Sequence, residues 1–255
     1  MFYKGIMKRG LYVMNRKIWG VLLSVVLFAM YPLSASAAPM TEAPVTSDQM
    51  VQIANGAMAG VTSFRFDHMV ISDITNSVNP KLSGTGLTTK QIIVGPNVVH
   101  QTTSDSMTVA GRTKTEYTDQ YIVREGANTK VYMQKNGRAW VVMLFPDNGK
   151  TVDNFRLPQL TGMTKPGVGQ SAAQVYTDGE VFQFTEILAG NKYPTVFTFD
   201  AVTMLPIGLR LEMPAEADSS GLVQTGTIEM VISDFGMYDT LTVPPEVVAS
   251  AVPLY

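Results

Sequence analysis

YTDQYIVREGANTKVYMQKNGRAWVVM, residues 117–143, is the stretch whose reading decides the fold. Tyr117, Asp119, Tyr121 and Val123 alternate with Thr118, Gln120, Ile122 and Arg124, the two-residue period of a strand. Gly126-Ala127-Asn128 reads as a turn and Lys130 to Gln134 as a second strand. Asn136-Gly137 is a hairpin signal, because both residue types tolerate the positive φ of a type I′ turn. Ala139 to Leu144 returns from it. Val131 and Met133 oppose Tyr132, and Trp140 and Val142 oppose Val141 and Met143. The returning strand is therefore apolar on both faces and is expected to be covered on two sides.

The same alternation runs outward in both directions. Upstream, Phe64, Phe66, His68 and Val70 alternate with Arg65, Asp67, Met69 and Ile71. Thr88 to Val94, Asn97 to Met107 and Thr115 to Arg124 follow as strands, with Ser83-Gly84-Thr85-Gly86 and Gly95-Pro96 as breaks. Downstream, strands are expected at Val181 to Leu188, Tyr193 to Asp200, Ile207 to Met213 and Leu222 to Asp234. Residues 145–180 contain three prolines and five glycines and read as a long connection with one or two short helices, placed to act as a lid. Before the strands, Thr46-Ser47-Asp48-Gln49 fits a capping box. Met50, Ile53, Ala54, Ala57 and Met58 then mark one stripe of a helix that Gly60 ends. A single helix cannot cover a sheet of about eight strands, so the sheet must curl on itself. The expected fold is α+β: a strongly curved antiparallel sheet, a half-barrel, whose concave side is covered by the N-terminal helix and the short helices or lid.

The first residues read as a targeting segment. Arg16 and Lys17 precede an apolar run from Ile18 to Tyr31, and Ala35-Ser36-Ala37 is a small-residue cleavage site. The run is shorter than the roughly 20 residues a spanning helix needs. Residues 1–37 are thus expected to be a signal peptide, compact enough to start at Met14, leaving no transmembrane anchor. Residues 38–46 are expected as a flexible leader and 47–255 as a single domain. Removing 1–37 takes away Lys4, Lys8, Arg9, Arg16 and Lys17 and no acid. That leaves 14 basic residues against 21 acidic ones, or −7. An acidic domain is a poor partner for nucleic acid or an anionic membrane. The chain has no cysteine, so it has neither disulfides nor a lipidation site.

Recognisable reaction chemistry is missing from the pattern. The two histidines, His68 and His100, fall on different strands, without the ligand spacing of a metal site. Asp67 and His68 are neighbours in a strand and point to opposite faces, so they cannot form a dyad. No G-x-S-x-G nucleophile turn is present, and Gly162 to Gly169 lacks the ending of a phosphate loop. No catalytic residue, metal or cofactor is expected, and the protein is read as a non-enzyme. The candidate site is instead an apolar cavity wall formed by Phe64, Phe66, Tyr132, Trp140 and Phe184.

Several short motifs, in order, give the chain a family resemblance. Val61-Thr62-Ser63-Phe64 follows the helix, VYMQKNGRAW spans Val131 to Trp140, FDAVTMLP spans Phe199 to Pro206, and VPPEVVASA spans Val243 to Ala251. Together they resemble the LolA-like superfamily of exported bacterial proteins, in particular its LppX/LprG-like branch. The resemblance implies a half-barrel enclosing an apolar cavity for lipid or lipoprotein acyl chains. It also implies a carrier or sensor role in the periplasm or cell envelope. Many relatives are lipoproteins, whereas this chain has no cysteine to acylate. The expected function is an exported, monomeric binding or carrier protein for a lipid or other amphiphile. The alternative is an interaction, sensor or chaperone module with an envelope protein as partner.

Overall fold

In the computed structural model Asn136 and Gly137 have φ of 53° and 67°, and the Arg138 N–H donates to the Lys135 carbonyl at 3.1 Å. Two positive φ values and that closing bond make the expected type I′ turn. The structure describes residues 39–76, 79–146, 150–153, 155, 173–187, 193–217 and 222–254. The turn joins β6 (Asn128–Lys135) to β7 (Val141–Pro146). β7 begins later than the alternation suggests, because Met133 pairs with Val141 and leaves Arg138 to Trp140 outside the ladder. The reason lies in β5 (Arg112–Glu125). Its Tyr117 N–H donates to Asn136 Oδ1 at 2.7 Å, and the Asn136 N–H donates to the Tyr117 carbonyl at 2.8 Å. The turn is thereby tied to β5, and the chain needs extra residues to return.

β2 (Phe64–Asn76), β3 (Gly84–Val94) and β4 (Val98–Val109) precede β5 in an antiparallel meander. A second meander comprises β8 (Gln174–Thr177), β9 (Val181–Ile187), β10 (Pro194–Asp200), β11 (Pro206–Ala217) and β12 (Leu222–Ser233). The two join where β12 pairs with β2 along its whole length. β1 (Thr41–Thr46) adds to β8 at one edge, and β13 (Val252–Pro253) adds in parallel to β7 at the other. The result is one open sheet of 13 strands, ordered β1-β8-β9-β10-β11-β12-β2-β3-β4-β5-β6-β7-β13. This is the expected curved antiparallel half-barrel with few helices.

Three local expectations change. The leader proves to be β1 from Thr41 onward, held by its ladder to β8. β8 itself lies within the stretch read as a connection; most of the rest of 145–180, including the expected lid, lies outside the described residues. Gly84 to Gly86, read as a turn, opens β3. A Cβ on Gly84 would stand 2.1 Å from the Thr108 carbonyl oxygen of β4, so glycine here permits a close strand approach.

The helices α1 (Ser47–Met58) and α2 (Lys150–Asp153) lie on one face, termed the inner face. The capping box forms: Gln49 N–H donates to Thr46 Oγ1 at 3.4 Å, and Thr46 N–H donates to Gln49 Oε1 at 2.9 Å. The buried stripe of α1 is Ser47, Met50, Val51 and Ala54, and Ile53 stays 43% exposed. The rotation follows from Ser47, which is fully buried. Its N–H donates to the Ala173 carbonyl, its Oγ accepts from Ala173 N–H, both at 3.0 Å, and its hydroxyl donates to Glu186. Docked at its first residue, α1 lays Met50 and Ala54 against Val175, Phe184, Phe197 and Phe199. The Phe184 ring stacks on Phe197 at 5.1 Å and on Phe199 at 5.6 Å. Burying each such side chain stabilises the fold by about 1.5–3 kcal/mol. α2 lowers Val152 onto a second inner cluster with Phe64, Ile92, Val94, Val99 and Ile122. The short helix α3 (Pro245–Ser250) covers the opposite, outer face, where Val247 packs with Val98, Tyr121 and Tyr132. β6 is thus covered on both faces, whereas β7 packs Val142 under α3 and leaves Leu144 and Phe145 exposed, short of the two-sided cover its apolar alternation suggests. Residues 38–255 form one compact unit, and 1–37, the expected signal peptide, lie outside the described residues.

Candidate functional site: the inner face

The five cavity-wall candidates occupy three separate places. Phe64 and Phe66 join the inner cluster beneath α2. Phe184 joins the inner cluster beneath α1. Tyr132 and Trp140 come together as neighbours, but in the outer cluster under α3. The Trp140 ring is 5.9 Å from Tyr121, which in turn stacks on His100 at 4.2 Å. Alternation on β6 explains the separation, since Val131 packs inward and Tyr132 therefore outward.

Between the two inner clusters lies a strip built by β11, β12 and the middle of β2. Register places Leu209 opposite Met230 and His68, and Leu211 opposite Ile228 and Val70. Met213 stands opposite Gly226. Leu211 is 5% exposed, while Val70, Leu209, Met213, Ile228 and Met230 are half-buried. None of Val70, Leu211, Met213, Ile228 or Met230 belongs to either buried cluster. The two strands approach closely here: a Cβ on Gly226 would stand 2.4 Å from the Ile71 carbonyl oxygen.

Beyond β2 the same rows turn polar. Row partners across β3, β4, β5 and β6 are Lys90, Thr103, Thr118 and Lys135. Gln101 Nε2 donates to Thr103 Oγ1 at 3.2 Å. Glu116 bridges Lys114 and Lys135, each at 2.6 Å, and these two ammonium groups hold its carboxyl down at about 2. His68 marks the boundary between the apolar and polar parts. Its ring stacks on Phe66 at a centroid distance of 6.1 Å. Its Nε2 is shut off from solvent and has no hydrogen-bond partner among the described residues. Burial, with a smaller contribution from Lys90, pushes its pKa below the usual histidine value. The inner face is therefore amphipathic from one half of the sheet to the other.

The chain matches no protein-family model and no curated protein sequence. Among solved structures it is similar to a LolA superfamily protein from Nitrosomonas europaea. That likeness has 12% identity, spans 80% of this chain and 97% of that one, and has a TM-score of 0.23. It is also similar to a DUF1329 family protein from Desulfovibrio piger, at 8% identity over 76% and 94% of the two chains, with a TM-score of 0.25. At such scores the likeness bears on neither ligand nor chemistry.

On the outer face, polar contacts are short-range and local. Asp67 accepts from Arg65 at 3.2 Å and from Gln91 at 3.1 Å, turned away from His68 as strand alternation requires. His100 Nε2 and Asp119 Oδ1 are 2.9 Å apart. Among the described residues no group of three or more acidic or histidine side chains is placed to hold a metal ion. No described helix is long and apolar enough to cross a membrane.

The strip residues of β11 and β12, and Lys90, were not singled out from the sequence. Their strands carry the period-two signal, but that signal does not say that β12 lies beside β2. The pairing of strands so distant in the chain is what assembles the strip.

Proposed function

We propose that the protein is exported and holds a lipid or other amphiphile against the inner face of its half-barrel, as a binding or carrier protein of the cell envelope. The observation that carries this reading is the half-buried apolar strip of Val70, Met213, Ile228 and Met230 between two separately packed clusters. Apolar surface left partly in water gains free energy when a tail covers it. Methionines at two of the four positions let the surface adapt to tails of different shape. Phe66 and Ile232, at the margin of the α2 cluster, extend the wall at one end. The signal-peptide pattern of residues 16–37 supports export.

Native mass spectrometry of protein purified from envelope fractions without detergent tests the reading. A bound mass in the lipid range is expected. A bare chain that also takes up no apolar fluorescent probe would sink it.

A second reading, an interaction module for an envelope protein, is favoured by the exposed Leu144 and Phe145 of β7 and Val252 and Leu254 beside it. It predicts that one protein partner is recovered from envelope fractions whether or not the inner face is loaded.

A further inference from the structure

We propose that the guest of the inner face is an anionic amphiphile, whose carboxylate or phosphate head is held between His68 and Lys90. This rests on the amphiphile reading above and narrows it to a chemical class.

Two unsatisfied groups meet at one place. His68 and Lys90 are direct partners across β2 and β3, so their side chains leave the same face side by side. The His68 Nε2 is buried and lacks a partner among the described residues. Buried polar atoms are normally hydrogen-bonded, so an orphaned one marks a place where a partner belongs. Lys90 is half-buried and takes part in no ion pair among the described residues. The lysines further along the polar region, Lys114 and Lys135, are both ion-paired, sharing the one carboxylate of Glu116. Among the lysines of this polar region that are described, the one without an ion pair therefore lies next to the orphaned nitrogen.

The surroundings fix the polarity of the guest. On one side of His68 stand Met230 of β12 and Leu209 of β11. On the other side of Lys90 stand Thr103 and Thr118. A head of one or two negative oxygens at this boundary would accept from the Lys90 ammonium and, once the His68 ring turns its shielded Nε2–H toward the guest, from that group as well. The threonine hydroxyls are at hand for its remaining lone pairs. Its tail would run along Leu211, Ile228 and Met230. A neutral head would leave Lys90 without a counter-charge, and a cationic one would be repelled by it.

Displacement of the neutral probe N-phenyl-1-naphthylamine from purified protein tests the assignment. The competitors are dodecanoate, dodecyl phosphate, dodecanol and inorganic phosphate. At least one of the two anions is expected to bind about tenfold or more tightly than dodecanol, the usual gain of one charge-assisted hydrogen bond. Inorganic phosphate alone should displace nothing. In Lys90→Met the preference for the anion over dodecanol should fall by about tenfold. Equal binding of anions and alcohol, insensitive to Lys90→Met, overturns the assignment and leaves the amphiphile reading intact. Failure of the probe and of all three alkyl compounds overturns both. Should the variant misfold, wild-type protein gives a second measurement, since the chain has only two histidines. The bound anion should shift the ring resonances of His68 and leave those of His100 in place. No shift at His68 on saturation overturns the assignment.

Discussion

Gly226 of β12 and Ile71 of β2 approach so closely that a Cβ on the glycine would stand 2.4 Å from the Ile71 carbonyl oxygen. The obstacle is backbone and cannot rotate away. Gly226→Ala is therefore expected to lower stability by about 1–3 kcal/mol through overpacking. Gly86→Ala makes the control, because its nearest neighbour is the Ser72 Oγ at 2.6 Å, and a side-chain hydroxyl can turn. Urea denaturation of both should rank Gly226→Ala as clearly the worse. Equal losses would show that the seam between the two meanders relaxes freely.

Through one buried hydroxyl Ser47 ties α1 to β9 and to the residue just before β8, donating to Glu186 and accepting from Ala173. Ser47→Ala leaves a half-buried carboxylate and a backbone N–H short of a partner. The expected loss is about 1–3 kcal/mol, concentrated at the edge made by β1, α1 and β8. Hydrogen exchange should accelerate there and remain unchanged in β4 and β5.

His68 makes stability depend on pH in a direction that can be stated beforehand. Its folded pKa is lowered by burial and by Lys90, so below the usual value the unfolded chain binds the proton more readily. Its contribution is fully present above about pH 6.5 and is lost as pH falls through the lower folded value. Denaturation midpoints measured between pH 7.5 and 5 should decline in the wild type. In His68→Leu the decline should be smaller over the same interval.

Trp140 lies on the outer face with Tyr121 and Val247, whereas the proposed guest occupies the inner one. Trp140 emission should therefore be indifferent to ligand in protein lacking residues 1–37, where it is the only tryptophan. Trp140→Ala should cost about 3–5 kcal/mol of stability at most and leave probe affinity within twofold or so. Met230→Lys should do the reverse, weakening probe uptake far more than it weakens the fold. A Trp140 signal that tracks ligand would place the binding surface on the wrong side of the sheet.

Much of the fold was legible because strand periodicity and turn chemistry are local. The Asn136-Gly137 turn, the capping box at Thr46 and most strands of both meanders follow from residues a few positions apart. The short strands β1 and β8 were not legible, since each is defined by its partner more than by its own pattern. Nor was the true stripe of α1: only the anchoring of Ser47 to Ala173 and Glu186 decides that Val51, not Ile53, faces inward. The candidate site was the least legible. Phe64, Phe66 and Phe184 lie on the face under α1 and α2, but Tyr132 and Trp140 belong to the outer one under α3, and which face is inner cannot be read from alternation. The strip itself depends on β12 lying beside β2, a fact of topology.

That same adjacency governs how the chain can assemble. β12 meets β2 through pairs such as Ser233 with Arg65 and Leu222 with Asn76, more than half the chain apart. Until β12 has been delivered, β2 is an uncovered edge of the first meander, open to any other strand. Pairing at such sequence distance makes folding slow. If the chain is exported unfolded, as proposed above, late closure is a useful delay, because the sheet cannot complete itself before nearly all of the polypeptide has emerged. The seam that shapes the proposed binding face is thus also the pairing expected to form last.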